Sequence, residues 1–184
     1  MNISGDPPSM EDISIIQKQI HSSAVDPYAI AVRCTYSFPM LIVQKINSAG
    51  TLLFQHLSNP IWLTCPYLNE KIHAIENDGS IERMTDFMNS QRLMTSHMHD
   101  AHAEFYFLRK NMYNRQFNMP YPEELTDRLN LGIGGIRNIR HIKCLHLHFA
   151  HYLICKKNKV GYMTKLLLNN KIYCDDGRCS CLKN

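Results

Sequence analysis

Residues 28–46 read YAIAVRCTYSFPMLIVQKI, and this stretch predicts a β-hairpin. Its two apolar runs, AIAVRC and PMLIVQKI, favour strands, and the turn-prone segment TYSFP separates them. Two further runs follow, TLLFQHL after the turn NSAG and IWLTC after Asn59-Pro60. The pattern therefore predicts a small antiparallel sheet of three or four strands.

Helical patterns surround this sheet. Ser9, with acidic residues just behind it, predicts a helix over SMEDISIIQKQI. After Pro66, helical rhythms cover PYLNEKIHAIENDG, the stretch from Ser80 to Tyr113, a short piece after NMPYPEEL, IKCLHLHFAHYLIC and VGYMTKLLLNN. We expect a helix-dominated α+β fold with about five helices. It would form a single domain over residues 1–181, sheet-rich over 28–65 and helical over 66–170, with a Cys-rich C-terminal tail over 172–184.

Composition narrows the class of protein. The chain has 184 residues, of which 45% are hydrophobic, which is typical of a globular protein and excludes disorder throughout. The opening residues MNISGDPPSMEDIS lack the basic and apolar regions of a signal peptide. No apolar run approaches the roughly 18 residues of a membrane span. We therefore expect a cytoplasmic protein that is not bound to a membrane.

The charge is distributed unevenly along the chain. The net charge is +4, but residues 1–100 carry six Lys/Arg against ten Asp/Glu, whereas residues 101–184 carry fourteen against six. Between Arg128 and Cys174 there is no carboxylate at all. Such a segment either faces the acidic half or attracts an anionic partner, which would be a small molecule or a nucleic acid.

The segment IKCLHLHFAHYLIC, residues 142–155, combines three histidines with two cysteines. On a helical wheel, His146 falls among the aliphatic residues, whereas the other members share the opposite face with His141: Cys144, His148, His151 and Cys155. Imidazole and thiolate groups three or four residues apart on a helix can reach the same metal ion. A packing face that binds no ion is the alternative.

One helix supplies two ligands comfortably, so others must come from elsewhere. Cys34 and Cys65 each end a predicted strand, and we expect them to join Cys144 around one metal ion, with His148 or His151 as the fourth ligand. Zinc is the default for such a mixed set, and an iron–sulfur cluster on the three cysteines is the main substitute. The C-x4-C-x-C tail of Cys174, Cys179 and Cys181 matches no standard zinc finger, and its role stays open.

Two further patterns favour binding of an anionic group. His102, Tyr106 and Arg109 share one helical face and would supply a proton carrier, a phenol and a guanidinium. The loop LGIGGIRNIRHIK permits an anion-binding turn at Gly134 and Gly135, followed by basic residues, namely Arg137, Arg140 and Lys143. A glycine hinge without a ligand is the alternative. His102 and His151 are the expected proton carriers.

The combination of an RC…P pair, WLTCP, GIGGI, KCLHLHFAH and NKVG resembles a bacterial family catalogued as domain of unknown function 501. The resemblance extends over roughly residues 10–181. The matched positions are Cys34, Pro39, Trp62 to Pro66, His102, Tyr106, Arg109, Gly134, Gly135, Lys143 to His146, His151, Val160 and Gly161. The resemblance implies no particular reaction, but it coincides with the residues that spacing and charge single out.

Together these features favour a metal-binding protein. An open metal position beside the basic residues would make it an enzyme for an anionic or phosphorylated substrate. One alternative is a non-enzymatic RNA-binding or other nucleic-acid-binding protein with a structural metal. Another is an interaction protein without metal, in which the His/Cys face packs on a partner. The oligomeric state is left open.

Overall fold

The computed structural model describes residues 3, 5–46, 58–126 and 131–183. In these ranges the chain forms six α-helices of nine residues or more and three strands, which confirms the helix-dominated α+β class. The elements are α1 (Met10–Gln19), β1 (Pro27–Arg33), β2 (Pro39–Gln44), β3 (Ile61–Leu63), α2 (Pro66–Asn77), α3 (Ser80–Ser90), α4 (Arg92–Phe117), α5 (Leu145–Ile154) and α6 (Lys159–Leu167). Short 3₁₀ turns cover Glu123–Leu125, Ile133–Gly135 and Arg178–Lys183.

The sheet is antiparallel, with β2 between β1 and β3. Every residue of β2 is buried, because both faces of this central strand are covered. Leu41 and Val43 belong to the large core formed with the helices, whereas Ile42 packs with Ile16 of α1 on the other face. This explains why β2 reads as an unbroken apolar run. The predicted strand TLLFQHL lies outside the described residues.

Helix α1 confirms its sequence signature. The Ser9 hydroxyl accepts a hydrogen bond from the amide of Asp12, and the Asp12 carboxylate accepts one from the amide of Ser9. Arg33 donates to the same carboxylate at 2.7 Å, which ties α1 to the end of β1. The capping box therefore both starts the helix and fixes it on the sheet.

Two helix boundaries differ from the predicted ones. The continuous rhythm from Ser80 to Tyr113 is broken at Gln91, whose extended backbone separates α3 from α4. Helix α5 begins at Leu145, because Cys144 is extended and the Leu145 amide donates to the Glu76 carboxylate of α2 at 2.6 Å. His141 therefore does not share a helical face with the histidines of α5.

Helices α5 and α6 approach each other closely at Gly161. A Cβ atom at this position would lie 2.4 Å from the carbonyl oxygen of His148 and 2.4 Å from Cβ of Tyr152. Only glycine allows this contact, which brings the start of α6 onto the histidines of α5. None of the helices in the described ranges combines the length and the apolar character that a membrane crossing requires.

Candidate functional site: a buried histidine centre

Helices α4, α5 and the first turn of α6 meet around three buried histidines. The exposed fraction is 4% for His102 and 0% for both His148 and His151. The rings of His102 and His148 lie edge to face with centroids 5.7 Å apart. We use the term histidine centre for these three residues and their polar neighbours, Glu104, Cys155 and Asn158.

Asn158 sets the orientation of two of the imidazoles. As the residue that caps α6, it accepts a hydrogen bond from the Gly161 amide through Oδ1 at 3.0 Å. Its Nδ2 atom therefore faces the other way, 3.1 Å from Nδ1 of His151 and 3.3 Å from Nδ1 of His148. Because an amide nitrogen can only donate, Nδ1 of His151 accepts, and the hydrogen of this neutral ring lies on Nε2. Nδ1 of His148 is also 3.4 Å from Oδ1, so it can either accept from the amide nitrogen or donate to the amide oxygen.

His102 has the same tautomer as His151 for an independent reason. Its Nδ1 atom accepts a hydrogen bond from the backbone amide of Ile133 at 3.0 Å. Gly132 makes room for this ring, since a Cβ atom there would lie 2.7 Å from Nδ1. Burial lowers the pKa of His102 and of His151 to about 4 and that of His148 to about 3. The three rings are therefore neutral at pH 7, and those of His102 and His151 carry their hydrogen on Nε2.

Nε2 of His148 and Nε2 of His151 have no hydrogen-bond partner among the described residues. Nε2 of His102 has no partner at ordinary hydrogen-bond distance and angle either, but the backbone of Ile139 interacts with this ring and favours its protonated form. Buried donors without acceptors are costly, on the order of 1–3 kcal/mol each, and in native proteins they commonly mark a binding position. The centre thus presents the Nε2–H donor of His151, which is suited to an anionic or carbonyl oxygen.

Glu104 and Cys155 complete the side of the centre near His151. The Cys155 thiol donates to Oε2 of Glu104 at 2.7 Å, and a ring nitrogen of His151 lies within 4.8 Å of both ligand atoms. Burial and this hydrogen bond both raise the pKa of Cys155. Cys155 is therefore a protonated thiol at neutral pH and not an activated nucleophile.

A pocket of about 510 Å³ opens beside Glu104. Helix α4 contributes Asp100 and Glu104 to its lining. The segment between α5 and α6 contributes Lys156 and Lys157, and the first residue of α6 contributes Lys159. The Lys157 ammonium lies 3.6 Å from Oε1 of Glu104. Glu104 therefore belongs both to the buried centre and to a cleft of a size suited to a small molecule.

A second group of possible metal ligands, Glu76, Cys144 and His146, lies at the start of α5. Nδ1 of His146 is 3.2 Å from the Glu76 carboxylate and Nε2 is 3.2 Å from the Asn69 carbonyl, so both nitrogens donate. Burial opposes the charged ring, but hydrogen bonds to Cys144 and Glu76 outweigh it and raise the pKa of His146 to about 10. His146 and Glu76 therefore form an ion pair that joins α5 to α2.

The structure distributes the expected metal ligands over different places. Cys144 belongs to the group at Glu76, and His151 to the group at Glu104. His148 contacts His151 only through the shared amide of Asn158. In the described residues, neither Cys34 nor Cys65 belongs to a group of three with ligand atoms within 4.8 Å.

The residues expected to bind an anion also lie in different places, some in the core and some on the surface. Arg109 is fully buried, and its guanidinium donates to the carbonyls of Leu131 and of Gly132, the latter at 2.7 Å. Burial lowers its pKa to about 10, so it remains charged at pH 7 while it positions the glycine loop. Gly134 is buried and Gly135 and Tyr106 are partly buried, whereas the three basic residues after the loop are exposed: Arg137, Arg140 and Lys143.

The glycine loop does not present a free set of amides. Within it, the Gly132 amide donates to the Ile136 carbonyl, the Gly135 amide donates to the Gly132 carbonyl, and the Ile133 amide donates to His102. Gly134 and Gly135 do have the positive φ angles expected for such a turn, 77° and 74°. The loop therefore orients His102 and uses most of its own donors to do so.

Sequence reasoning missed Glu104, Asn158 and the lysines of the pocket as members of the site. Asn158 could have been found, because an Asn before a helix start is a preferred cap and the cap side chain points back along the chain. Glu104 gave no signal, since it is two residues from His102 and so lies off that helical face.

Comparison with known proteins agrees with the motif resemblance. Residues 30–165, more than half of the chain, match the model of a family described as a protein of unknown function, DUF501. No curated protein and no solved structure matches the chain significantly. The matched range contains the whole histidine centre and the lysine-lined pocket, and the chain belongs to the DUF501 family.

Proposed function

We propose that the protein binds a small anionic, phosphorylated molecule in the lysine-lined pocket and catalyses a proton-transfer step on it. The observation that carries this proposal is the position of Glu104. Its carboxylate forms part of the wall of a pocket with three lysines and also contacts a buried centre in which the Nε2–H group of His151 lacks an acceptor. An imidazole N–H group without an acceptor, next to a cleft lined by lysines, favours an anionic ligand.

The chemistry follows from the state of each group. Lys156, Lys157 and Lys159 would hold the anionic part of the substrate. Glu104 would accept a proton from a water molecule or a substrate hydroxyl group that enters beside it. The Nε2–H group of His151 would donate a hydrogen bond to oxygen on which negative charge develops, as a neutral imidazole can do. Cys155, a protonated thiol, would keep the Glu104 carboxylate in position.

The binding step can be tested with inorganic pyrophosphate as the probe. Isothermal titration of the wild type should give a measurable affinity, and the double variant Lys157→Gln/Lys159→Gln should weaken it at least about tenfold, equivalent to about 1.4 kcal/mol. Lys45→Gln, another exposed lysine already paired with a carboxylate, is the matched control and should bind like the wild type. Equal affinities in all three proteins would contradict the proposal.

The nucleic-acid alternative predicts a different result in the same experiment. Binding of a generic single-stranded RNA would weaken steeply with salt. If RNA binds in this way while pyrophosphate does not bind at all, the small-molecule proposal is wrong and the basic segment serves a nucleic acid.

The catalytic step can be tested at Glu104. Para-nitrophenyl phosphate serves as a generic substrate: Glu104 would take a proton from water, the water oxygen would bond to phosphorus, and the P–O bond to nitrophenolate would break, releasing phosphate and nitrophenolate. Glu104→Gln should lower this turnover by about 10² to 10⁴, because the amide cannot accept the proton. The same change should leave pyrophosphate affinity equal or higher, since it removes a negative charge from the pocket. A variant that loses affinity and turnover together would point to a structural role for Glu104.

A metal centre is the second candidate function of this site. Its support is the group of Glu104, His151 and Cys155, whose ligand atoms lie within 4.8 Å of one another. A metal on Nε2 of His151 would require the ring hydrogen to move to Nδ1 and the Asn158 amide to turn around, which would leave the Gly161 amide without its acceptor. Zinc analysis of Cys155→Ser beside the wild type tests this candidate: loss of one equivalent would support it.

A further inference from the structure

The C-terminal tail folds back onto the β1–β2 turn and the start of α2. The Tyr36 hydroxyl donates to the Asp175 carbonyl at 2.8 Å, and Arg178 pairs with Glu70 of α2 at 2.9 Å. Gly177 lies against the Tyr36 ring, where a Cβ atom would be 3.3 Å from the nearest ring carbon. These contacts place two cysteines of the tail beside two cysteines that are more than a hundred residues earlier in the chain.

The four cysteines occupy one region of the core. Cys65 is buried in the large core at the start of α2, and Cys34 and Cys174 pack against that core. Cys179 is buried with Ile15 and Phe38, and Cys34 packs against this smaller cluster as well. The thiols of Cys174 and Cys179 are near enough to Cys65 to act on it electrostatically. Cys34, Cys174 and Cys181 act in the same way on Cys179.

Two of these sulfur atoms already accept hydrogen bonds. Nε2 of Gln19 donates to Sγ of Cys179 at 3.3 Å. The amides of Tyr67 and Leu68, in the first turn of α2, interact with the sulfur of Cys65. N–H groups directed at sulfur stabilise the thiolate form, which is the form that binds metals.

We propose that Cys34, Cys65, Cys174 and Cys179 bind one zinc ion that holds the tail against the sheet and α2. Four thiolates satisfy the tetrahedral preference of zinc and leave no open position, so the site would be structural. On binding, each thiol releases its proton to the solvent and the sulfur donates a lone pair to zinc. This site is separate from the histidine centre and from the proposed reaction.

The four sulfur atoms have to move to reach this geometry. In the described residues no three of them lie within 4.8 Å of one another. Tetrahedral coordination with Zn–S bonds of about 2.3 Å places sulfur atoms about 3.8 Å apart. Zinc binding therefore has to draw the four side chains together, and rotation about χ1 between staggered positions is the first movement available to a cysteine.

Cys181 provides a matched control in the same tail. It is exposed, and its thiol donates to the Arg178 carbonyl at 3.1 Å. It is two residues from Cys179 and belongs to neither core cluster in which the other four cysteines lie. A general effect of removing a tail thiol would therefore appear in Cys181→Ser as well.

The test is the zinc content of untagged protein purified under reducing conditions. We expect about one equivalent in the wild type and in Cys181→Ser, and less than a tenth of an equivalent in Cys174→Ser and in Cys179→Ser. Retention of zinc in the last two variants would overturn the proposal. Loss of zinc in Cys155→Ser with retention in Cys179→Ser would instead assign the metal to the histidine centre.

A second measurement on the wild type avoids variants that fail to fold. Alkylation of the native protein, read by peptide mass spectrometry, should modify Cys181 quickly with or without a chelator. Cys34, Cys65, Cys174 and Cys179 should be protected until the chelator is added and should then become reactive together. Equal alkylation of these four cysteines with and without the chelator would contradict a bound metal.

Discussion

At the scale of single residues, the side-chain amide of Asn158 determines what the histidine centre can bind. Its Oδ1 accepts from the Gly161 amide and its Nδ2 donates to Nδ1 of His151, so the His151 ring carries its hydrogen on Nε2. In this tautomer Nε2 is a donor and has no lone pair for a metal.

Asn158→Asp should reverse this preference. The carboxylate can still accept from the Gly161 amide, but it cannot donate to His151, so the hydrogen of this ring moves to Nδ1. The Nε2 lone pair of His151 then becomes available, and a carboxylate behind a histidine favours metal binding. We expect the variant to gain zinc affinity at His151, Glu104 and Cys155, and its His ¹⁵N chemical shifts should report the changed tautomer.

The control for this change is Asn158→Ser, which keeps an acceptor for the helix cap without adding a negative charge. It should lose stability without gaining zinc. If the wild type already shows the Nδ1–H tautomer at His151, the assignment of the amide orientation is wrong.

The face predicted on the helical wheel is only partly kept together in the structure. His151 and Cys155 form one group with Glu104, and His102 packs edge to face on His148, whereas Cys144 belongs to the group at Glu76. Which ring nitrogen carries the hydrogen depends on partners from other segments, namely the Ile133 amide and the Asn158 side chain. Those contacts form only on folding and leave no periodic pattern in the sequence.

At the scale of secondary-structure elements, Gly161 controls the distance between α5 and α6. Gly161→Ala would place a Cβ atom 2.4 Å from the His148 carbonyl oxygen, so the helices must separate. We expect a loss of about 1–3 kcal/mol in the free energy of unfolding, together with weaker contacts from Asn158 to the imidazoles. Urea denaturation measures the first effect, and the His ¹⁵N shifts measure the second.

Leu167→Ala in the same helix is the control, because Leu167 is 48% exposed. It should change the free energy of unfolding by no more than about 0.5 kcal/mol. If Gly161→Ala is equally mild, α6 can move away from α5 without cost, and the close approach is not what positions Asn158.

The elements themselves were largely predictable. The apolar runs at β1, β2 and β3 and the capping signal at Ser9 are local features, and the structure confirms them. The start of α5 was not predictable, because the Leu145 amide donates a hydrogen bond to the carboxylate of Glu76, which is 69 residues away in the chain. A long-range contact of this kind overrides the helical rhythm that Ile142 and Lys143 would otherwise continue.

At the scale of the whole molecule, histidines whose pKa values are shifted in opposite directions should lower the stability of the fold both below and above neutral pH. Burial lowers the pKa values of His102, His148 and His151 to about 3 to 4, below the ordinary value of 6.5. The unfolded chain therefore binds more protons below pH 6.5, and stability falls as the pH decreases toward 4, by up to about 1.4 kcal/mol per pH unit for each histidine.

His146 should lower the stability of the fold at alkaline pH. Its pKa is raised from 6.5 to about 10, so the stabilisation that it contributes is complete below pH 6.5 and is lost as the pH rises toward 10. We expect the free energy of unfolding to be greatest near pH 6 to 7. Chemical denaturation across this range tests the shape of the curve, and His146→Gln should flatten only its alkaline side.

The buried Arg109 also constrains how the molecule opens. Its guanidinium reaches 22 and 23 residues along the chain to the carbonyls of Leu131 and Gly132, so the glycine loop cannot swing outward without leaving a charge in the core. Loops rich in glycine normally exchange their amide hydrogens with water quickly. Here the Ile133 amide should exchange only when the whole protein unfolds, as slowly as amides of the central strand β2.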